Sequence, residues 1–296
     1  MTEPREKYLD PAVVMKLGGL LVRARSLVEG AIAGMHRSPH KGSSVEFAEY
    51  KEYTPGDEIK HIDWKAFGRV DKYYVKQFED ETNLRAYLVL DASGSMNFGS
   101  EGVTKLQYAQ TLAASLAYLL LRQGDAVSAM VFDDKPGLFL PPSSKSSHLD
   151  DVLQVLESMA GQGRTDIAVA MQSLAERVRR RGMMVLISDM LDDAPRVMNI
   201  AKVMRKRRQE VVIFHLMDPA ELELPYEGLT IFEGLEGEPD LLVDPDDIRD
   251  HYRQEMLAHM ASIERECLEG DIEYFRVSTA SPLEKAILDF IVGRLR

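Results

Sequence analysis

The sequence contains a single cysteine, Cys267. One thiol cannot close an intramolecular disulfide, and it has no second cysteine with which to form a thiolate metal site. Proteins that use neither device are typical of reducing compartments. The cysteine content therefore predicts a cytoplasmic protein.

Positive charge is in deficit. The 296 residues include 36 Lys and Arg against 48 Asp and Glu, which gives a formal net charge of −12. A chain with this balance repels a phosphate backbone rather than attracting it. We therefore do not expect nucleic acid as a partner.

Long apolar runs are also missing. The apolar segment at residues 17–22 is far shorter than the roughly 20 residues that a membrane-spanning helix requires, so no membrane span is predicted. Apolar residues recur there at the spacing of three and four that a helix gives: Val14, Leu17, Leu21, Ala24 and Val28. We interpret the segment as an amphipathic helix that docks on the protein's own core, with partner binding as the alternative.

Two regions of different character meet near residue 84. Residues 31–83 are rich in Gly, Pro, aromatic and charged residues and lack a long helical period. Within them, Pro55 followed by Gly56 suits a type II turn between two short strands. We therefore predict an N-terminal helix and an irregular β appendage in residues 1–83, and a second domain in residues 84–296.

From residue 84 onward, buried strands alternate with helices. The strands are near-continuous apolar runs, as expected where both faces of a parallel sheet are covered, and the helices keep apolar spacings of three and four. Predicted strands cover residues 85–90, 126–132, 183–188, 211–216 and 272–277. Predicted helices cover residues 103–122, 149–159, 166–180, 196–207, 246–268 and 282–295. This alternation predicts an α/β fold, a doubly wound and mostly parallel sheet with helices on both faces.

Side-chain oxygens follow the first of these strands. Asp91, Ser93 and Ser95 take alternate positions in the run Asp-Ala-Ser-Gly-Ser. Thr165 stands just before a predicted helix, and Asp189 just after a predicted strand. Because ligand sites form where the carboxyl ends of parallel strands meet, these five residues are expected at one edge of the sheet. Carboxylates and hydroxyls suit Mg²⁺ or Mn²⁺, so the sequence predicts a divalent-metal site with room for an outside ligand.

Each of these residues also has a purely structural interpretation. Asp91 and Asp189 can simply end strands, and Ser93 and Ser95 can lie in a turn. Thr165 can cap the helix that follows it. For any one residue this structural interpretation is the simpler one. The occurrence of all five in the expected order and strand context favours metal binding.

The same residues carry a resemblance to a known family. Asp-x-Ser-x-Ser at 91–95, Gly-x-Thr-Asp at 163–166 and the strand-end Asp189 resemble the metal-ion-dependent adhesion site, or MIDAS, of von Willebrand factor A domains. This resemblance spans residues 84–296. It implies the von Willebrand factor A, Rossmann-like fold for that part of the chain.

Upstream segments resemble a second signature. Ser-Val-Glu-Phe-Ala-Glu-Tyr at 44–50, Tyr-Thr-Pro-Gly-Asp-Glu at 53–58 and Ile-Asp-Trp at 62–64 resemble the bacterial domain-of-unknown-function family 58. Members of that family carry this fold and are typically associated with MoxR-type AAA+ ATPases. With both signatures in order, the resemblance covers nearly the whole chain.

The resemblance implies a non-enzymatic adaptor whose metal-bearing face binds a protein partner. By residue matching, Ser93 and Ser95 would ligate Mg²⁺ or Mn²⁺ directly, whereas Asp91, Thr165 and Asp189 would bind it directly or through water. The resemblance also implies a MoxR-type AAA+ ATPase as the partner, in the remodelling or maturation of a client protein. The ATP chemistry would belong to that partner.

An enzymatic interpretation is the alternative. An Asp after the first strand, with a later acidic group at residues 189–193, resembles Mg-dependent phosphohydrolases of the haloacid-dehalogenase type. In such an enzyme Asp91 would be the nucleophile. These enzymes need a second Asp two residues later as the acid and base, and Ser93 stands there instead. The sequence therefore favours the adaptor over the phosphohydrolase.

Two further groups of polar residues have simple interpretations. Residues 233–247 include seven acidic residues among glycines and prolines, which predicts a solvated hairpin or loop. His36, His40 and His61 have neither the spacing nor the companion cysteines of a metal site. Neither group is predicted to carry the function.

Overall fold

The structure is a computed structural model, and it describes residues 10–16, 18–37, 50–52, 74–76, 84–158, 161 and 163–294. Contacts divide the chain into two units. One unit comprises Met1–Met35 with Leu84–Arg296, and the other comprises His36–Asn83.

The described residues form nine helices and ten strands. The helices are α1 (Pro11–Met15), α2 (Leu20–Arg37), α3 (Lys105–Arg122), α4 (His148–Leu156), α5 (Ile167–Arg177), α6 (Ala194–Lys206), α7 (Pro219–Glu223), α8 (Pro245–Glu269) and α9 (Leu283–Arg294). The strands are β1 (Tyr50–Glu52), β2 (Tyr74–Lys76), β3 (Arg85–Asp91), β4 (Ala126–Phe132), β5 (Pro136–Ser143), β6 (Met183–Ser188), β7 (Glu210–Met217), β8 (Thr230–Phe232), β9 (Leu241–Val243) and β10 (Glu273–Ser278). No helix of this described part is both long and apolar enough to cross a membrane.

Six of the strands form the central sheet in the order β10-β7-β6-β3-β4-β5. Neighbouring strands are parallel except for β4 and β5, which are antiparallel. The chain enters the sheet at β3, moves outward to β5, and then crosses to β6 and the opposite edge. This is the doubly wound arrangement, in which the strand order reverses between β3 and β6. The predicted fold class, a mostly parallel α/β sheet of the von Willebrand factor A or Rossmann-like kind, is confirmed.

Strand β3 lies between two apolar layers. Leu88 and Leu90 belong to one buried cluster, which α3 and α9 help to form, whereas Tyr87 and Val89 belong to a second cluster with α5 and α6. Successive side chains of a strand point to opposite faces, so a strand covered on both faces is apolar throughout. This double coverage holds the carboxyl end of β3 rigidly at the centre of the sheet.

The N-terminal helix α2 packs on the first of these clusters. Its residues Leu20, Ala24, Leu27 and Val28 are buried there, which confirms the predicted docking on the protein's own core. The division expected near residue 84 placed this helix with the β appendage. The structure groups it with the α/β unit instead, because its apolar face completes that unit's core.

The second unit contains a short antiparallel pair. Strands β1 and β2 pair with Tyr50 opposite Lys76. The predicted turn at Pro55 and Gly56 lies outside the described residues, as do His40 and His61.

Several short elements were not predicted. Strand β5 contains Pro136, Pro141 and Pro142, which disguise it in the sequence but are tolerated because it lies at the edge of the sheet. Strands β8 and β9 form an antiparallel pair, and the acidic residues 233–240 connect them. The interpretation of residues 233–247 as a hairpin or loop fits their first part, which connects these two strands, whereas helix α8 begins at Pro245.

Candidate metal centre

The candidate site lies at the topological switch point between β3 and β6. Asp91 is the last residue of β3, and Asp189 directly follows β6. Backbone hydrogen bonds join the neighbouring loops: Ala92 N donates to Phe132 O at 2.8 Å, and Gly94 N donates to Gly163 O at 2.9 Å. The loops that carry the predicted ligands therefore meet at one sheet edge, where doubly wound folds bind their ligands.

Asp91 is fully buried and held at both carboxylate oxygens. Its Oδ1 accepts a hydrogen bond from Ser93 N at 3.0 Å, and its Oδ2 accepts one from Ser188 Oγ at 2.6 Å. Burial raises the pKa of Asp91, and the nearby negative charge of Asp189 raises that pKa further. The side chain has a fixed orientation and a large cost of carrying its charge.

Ser188 links the two central strands. Besides donating to Asp91, its Oγ accepts from Met190 N at 3.0 Å. Met190 has a φ of 56°, in the left-handed region that non-glycine residues rarely adopt. The chain therefore turns sharply immediately after Asp189, and this turn is the kind of local backbone strain that is common at functional sites.

The two serine hydroxyls converge. A 3₁₀ turn over Gly94–Asn97 follows Ser93, and it brings Ser95 Oγ to 3.1 Å from Ser93 Oγ. The Ser95 side chain also helps to hold the pKa of Asp189 below its ordinary value. Ser95 therefore acts both on the Asp91 loop and on the strand end that carries Asp189.

A buried ammonium lies next to Asp189. Lys105 Nζ donates to Asp189 Oδ2 at 2.7 Å and also to Glu221 Oε1, and the Lys105 and Asp189 side chains are both 0% exposed. Burial alone would raise the pKa of Asp189, but the Lys105 charge and its hydrogen bond hold that pKa below its ordinary value. Burial would likewise lower the pKa of Lys105, yet the two carboxylates keep it above its ordinary value. Asp189 is therefore ionised and paired.

Thr165 does not cap the helix that follows it. The cap of α5 is Asp166, whose Oδ1 accepts from Val169 N at 2.8 Å. Thr165 instead donates to the carboxylate of Glu236, from its backbone N to Oε2 at 2.9 Å and from Oγ1 to Oε1 at 2.8 Å. The simpler interpretation of Thr165 as a helix cap is wrong.

Glu236 reaches the site from the loop between β8 and β9. Its Oε1 also accepts from Ser95 N at 3.2 Å. A Cβ placed on Gly94 would come within 2.0 Å of the Leu235 carbonyl oxygen, so only glycine allows the two loops to approach this closely. The segment predicted as solvated therefore contributes one carboxylate to the site.

The donor set suits a hard divalent cation. Hydrogen bonds through Ser95 and Glu236 connect four of the five predicted residues, and the charge of the fifth, Asp189, raises the pKa of Asp91, so two carboxylates and three hydroxyls lie in one site. Mg²⁺ and Mn²⁺ prefer oxygen ligands, and Mg²⁺ usually keeps several waters. Carboxylates outnumber the single ammonium here, so an added cation would reduce their mutual repulsion. Among the described residues no three His, Cys, Asp or Glu side chains are grouped to hold a metal by themselves, so a cation would depend on the hydroxyls and on water.

Three residues of this site were not predicted from the sequence. Lys105 had a usable signal, because a cation in the first turn of a helix opposes the helix dipole and needs another reason to be there. Glu236 had a weaker one, because Gly234 and Gly237 flank it and permit tight turns. Ser188 had none, since it reads as the end of an apolar strand.

Comparison with known proteins finds relatives along most of the chain. An uncharacterized protein of Mycobacterium tuberculosis is 29% identical over 263 residues, which cover 86% of this chain and 81% of that protein. An uncharacterized protein of Mycobacterium bovis matches to the same extent. These relatives extend the sequence similarity but carry no stated activity.

Solved structures share part of the architecture. The conserved hypothetical protein BatB of Bacteroides thetaiotaomicron is 21% identical, with a TM-score of 0.47 and coverage of 71% of this chain and 98% of that one. An aerotolerance-related membrane protein of Bacteroides fragilis is also 21% identical, with a TM-score of 0.49 and coverage of 71% and 99%. At these values the likenesses carry no argument about function, and the fold rests on the strand order itself.

The family is established by its sequence profile. The family described as "Protein of unknown function DUF58" matches residues 49–262, well over half of the chain. The match includes the first strand of the appendage, the switch-point edge and Glu236. Together with the von Willebrand factor A-like sheet order and the residues at its switch point, it shows that this chain belongs to the DUF58 family.

Proposed function

We propose that this protein is a non-enzymatic adaptor that recognises a protein partner through a divalent cation. The proposal is carried by one observation at the switch-point edge: Asp91, Ser93, Ser95 and Thr165 share one hydrogen-bonded network, and the charge of Asp189 acts on Asp91. These are the residues that would hold Mg²⁺ or Mn²⁺. The bound cation would supply a Lewis-acidic position for a carboxylate of the partner.

The residues around the cation position would set its selectivity. The Ser93 and Ser95 hydroxyls are neutral donors, 3.1 Å apart, so they leave more of the cation's charge available to an outside oxygen than carboxylates would. Asp91 is held by Ser188 and by Ser93 N, and Asp189 by Lys105. This preorganisation favours recognition over turnover, because no free base lies among these groups.

The phosphohydrolase alternative finds no support in the geometry. Both Asp91 oxygens are occupied by hydrogen bonds from Ser93 N and Ser188 Oγ, and no second carboxylate stands two residues later to act with Asp91. Ser93 stands where those enzymes need an acid and base, and its hydroxyl titrates far from neutral pH. The adaptor is the function that the site supports best.

A MoxR-type AAA+ ATPase is the proposed partner, in the remodelling or maturation of a client. This partner is what the resemblance of the sequence to the family implies, and the family match itself names no partner. The net charge of −12 also favours a protein over a nucleic acid as partner. In this arrangement the ATPase performs the hydrolysis and this protein performs the recognition.

The proposal is tested by comparing Asp91→Ala with the wild type. We expect the variant to lose Mg²⁺ and Mn²⁺ binding in calorimetric titration and to lose metal-dependent capture of the MoxR-type ATPase. The wild type should capture that ATPase with Mg²⁺ present and release it in EDTA. Asp134→Ala provides the matched control, because Asp134 is exposed on the loop after β4 and its loss should change neither measurement.

Circular dichroism and thermal unfolding of Asp91→Ala check that the fold survives. Metal binding by the wild type with no loss in Asp91→Ala would contradict the ligand assignment. A wild type that binds no divalent cation would refute the metal-dependent mechanism altogether.

A further inference from the structure

The site already contains an acidic side chain that comes from a separate element. Glu236 lies on the loop between β8 and β9, far in sequence from the five predicted residues. Its carboxylate accepts three hydrogen bonds, from Ser95 N, Thr165 N and Thr165 Oγ1. Two of the predicted metal-binding residues thus present donors to one carboxylate.

Several contacts of the surrounding backbone and side chains fix the position of Glu236. Gly94 makes room for the Leu235 carbonyl, which a Cβ would meet at 2.0 Å. Arg164 Nε donates to the Glu236 carbonyl at 3.3 Å, and Glu236 N donates to Glu238 Oε2 at 2.9 Å. Main chain and side chain are both held, so the carboxylate is delivered to the site in one orientation.

The remainder of the hairpin is weakly held. Leu229, Ile231, Leu241 and Leu242 are between 58% and 71% exposed, so these residues bury little apolar surface on the α/β unit. Since stability follows the apolar area removed from water, lifting the hairpin away from the site costs comparatively little. The contact between Glu236 and the site can therefore be replaced by a contact with another acidic group.

We infer that Glu236 is an internal ligand of the metal centre, which occupies the position that the acidic side chain of a partner would take. This inference rests on the proposed function. A carboxylate that hydrogen-bonds Thr165 Oγ1 is placed next to a predicted metal ligand, as an acidic group bound to the cation would be. A partner then binds by displacing the β8–β9 hairpin, and the hairpin lowers the apparent affinity for any weaker acidic ligand.

The first test is the metal affinity of Glu236→Gln and Glu236→Ala. If the carboxylate ligates the cation, we expect calorimetric titration with Mn²⁺ to show a loss of about tenfold or more in both variants. Glu233→Gln is the matched control, because it removes the same charge from an exposed position of the same loop. It should bind Mn²⁺ as the wild type does.

The second test uses acetate as a substitute for the missing carboxylate. In Glu236→Ala, acetate in large molar excess over Mn²⁺ supplies the missing carboxylate group. It should recover several-fold of the lost Mn²⁺ affinity, relative to chloride at equal ionic strength. The wild type should show no such gain, since its own carboxylate fills the position.

The outcomes separate this inference from the proposed function. If the wild type binds Mn²⁺, Asp91→Ala does not, and both Glu236 variants keep full affinity, the metal centre stands and the internal ligand is overturned. If neither the wild type nor any variant binds Mn²⁺, both are overturned. Loss in Asp91→Ala and in both Glu236 variants but not in Glu233→Gln, with recovery of Glu236→Ala by acetate, supports the inference.

Discussion

Replacement of Lys105 by Met tests the electrostatic structure of the site most directly. Met keeps most of the apolar stem and removes only the ammonium. That ammonium is the buried partner of Asp189, which is 0% exposed, and of Glu221, which is 14% exposed. The substitution therefore leaves two carboxylates without their counter-charge in the interior of the α/β unit.

The expected effect is large. Breaking a buried ion pair by removing one partner typically costs about 3–5 kcal/mol of the free energy of unfolding, because an uncompensated charge stays buried. Lys202→Met is the control: Lys202 pairs with Glu266 at 3.0 Å, but their side chains are 30% and 25% exposed. A partly exposed pair contributes about 0–1 kcal/mol, so this variant should lie close to the wild type.

The assay uses the single thiol. Cys267 is 1% exposed, and burial raises its pKa to about 12, so it reacts with thiol reagents only when the α/β unit opens. Labelling in increasing urea, with EDTA present, then gives the free energy of opening for each variant. If the free energies of opening of Lys105→Met and Lys202→Met differ by less than about 1 kcal/mol, the expectation that removal of Lys105 leaves an uncompensated buried charge is refuted.

Two further substitutions test the loop contact and the N-terminal helix. Gly94→Ala should displace the Leu235 backbone and speed amide exchange over residues 233–240. Gly30→Ala is the control: this position in helix α2 has open space around it, so the free energy of unfolding should stay the same or rise by up to about 1 kcal/mol. Unchanged exchange in Gly94→Ala would contradict the close approach of the two loops. Leu27→Ala should cost about 2–5 kcal/mol of unfolding free energy in the Cys267 assay, because Leu27 is fully buried in the core. Val22→Ala, at a position 55% exposed, should change it by less than about 0.5 kcal/mol, and equal effects would argue against docking of α2.

Local patterns predicted the central elements well. Strands β4 and β6 have the predicted bounds, since continuous apolar runs between turns leave little choice. The edge strand β5 escaped prediction because its prolines oppose strand propensity, and only its place beside β4 makes them acceptable. One helix was predicted through Val14 and Val28, where the structure has two, α1 and α2, and the membership of α2 in the α/β unit depends on which core its apolar face completes.

The candidate site likewise contains residues that the sequence predicted and residues that only the fold brings together. Asp91, Ser93 and Ser95 lie within five residues of one another, so spacing alone placed them on one loop. Thr165 and Asp189 were predicted to join them because parallel strands end at a common edge. The contacts of Lys105 with Asp189 and with Glu221 were not predicted, because they join residues that are 84 and 116 positions apart in the sequence.

The sequence by itself determined the fold class, the family and the five oxygen-bearing residues, because strand and helix periods and the spacing of a short motif are local properties. Only the tertiary structure decided the charge balance of the site and which loop places a further carboxylate beside it. Glu236 is one of seven acidic residues in its segment, and the nearby Gly234 and Gly237 are too weak a local signal to single it out from the other six. Its role depends on the approach of Leu235 to Gly94 and on donors from Ser95 and Thr165, which are contacts that form only when distant loops pack together.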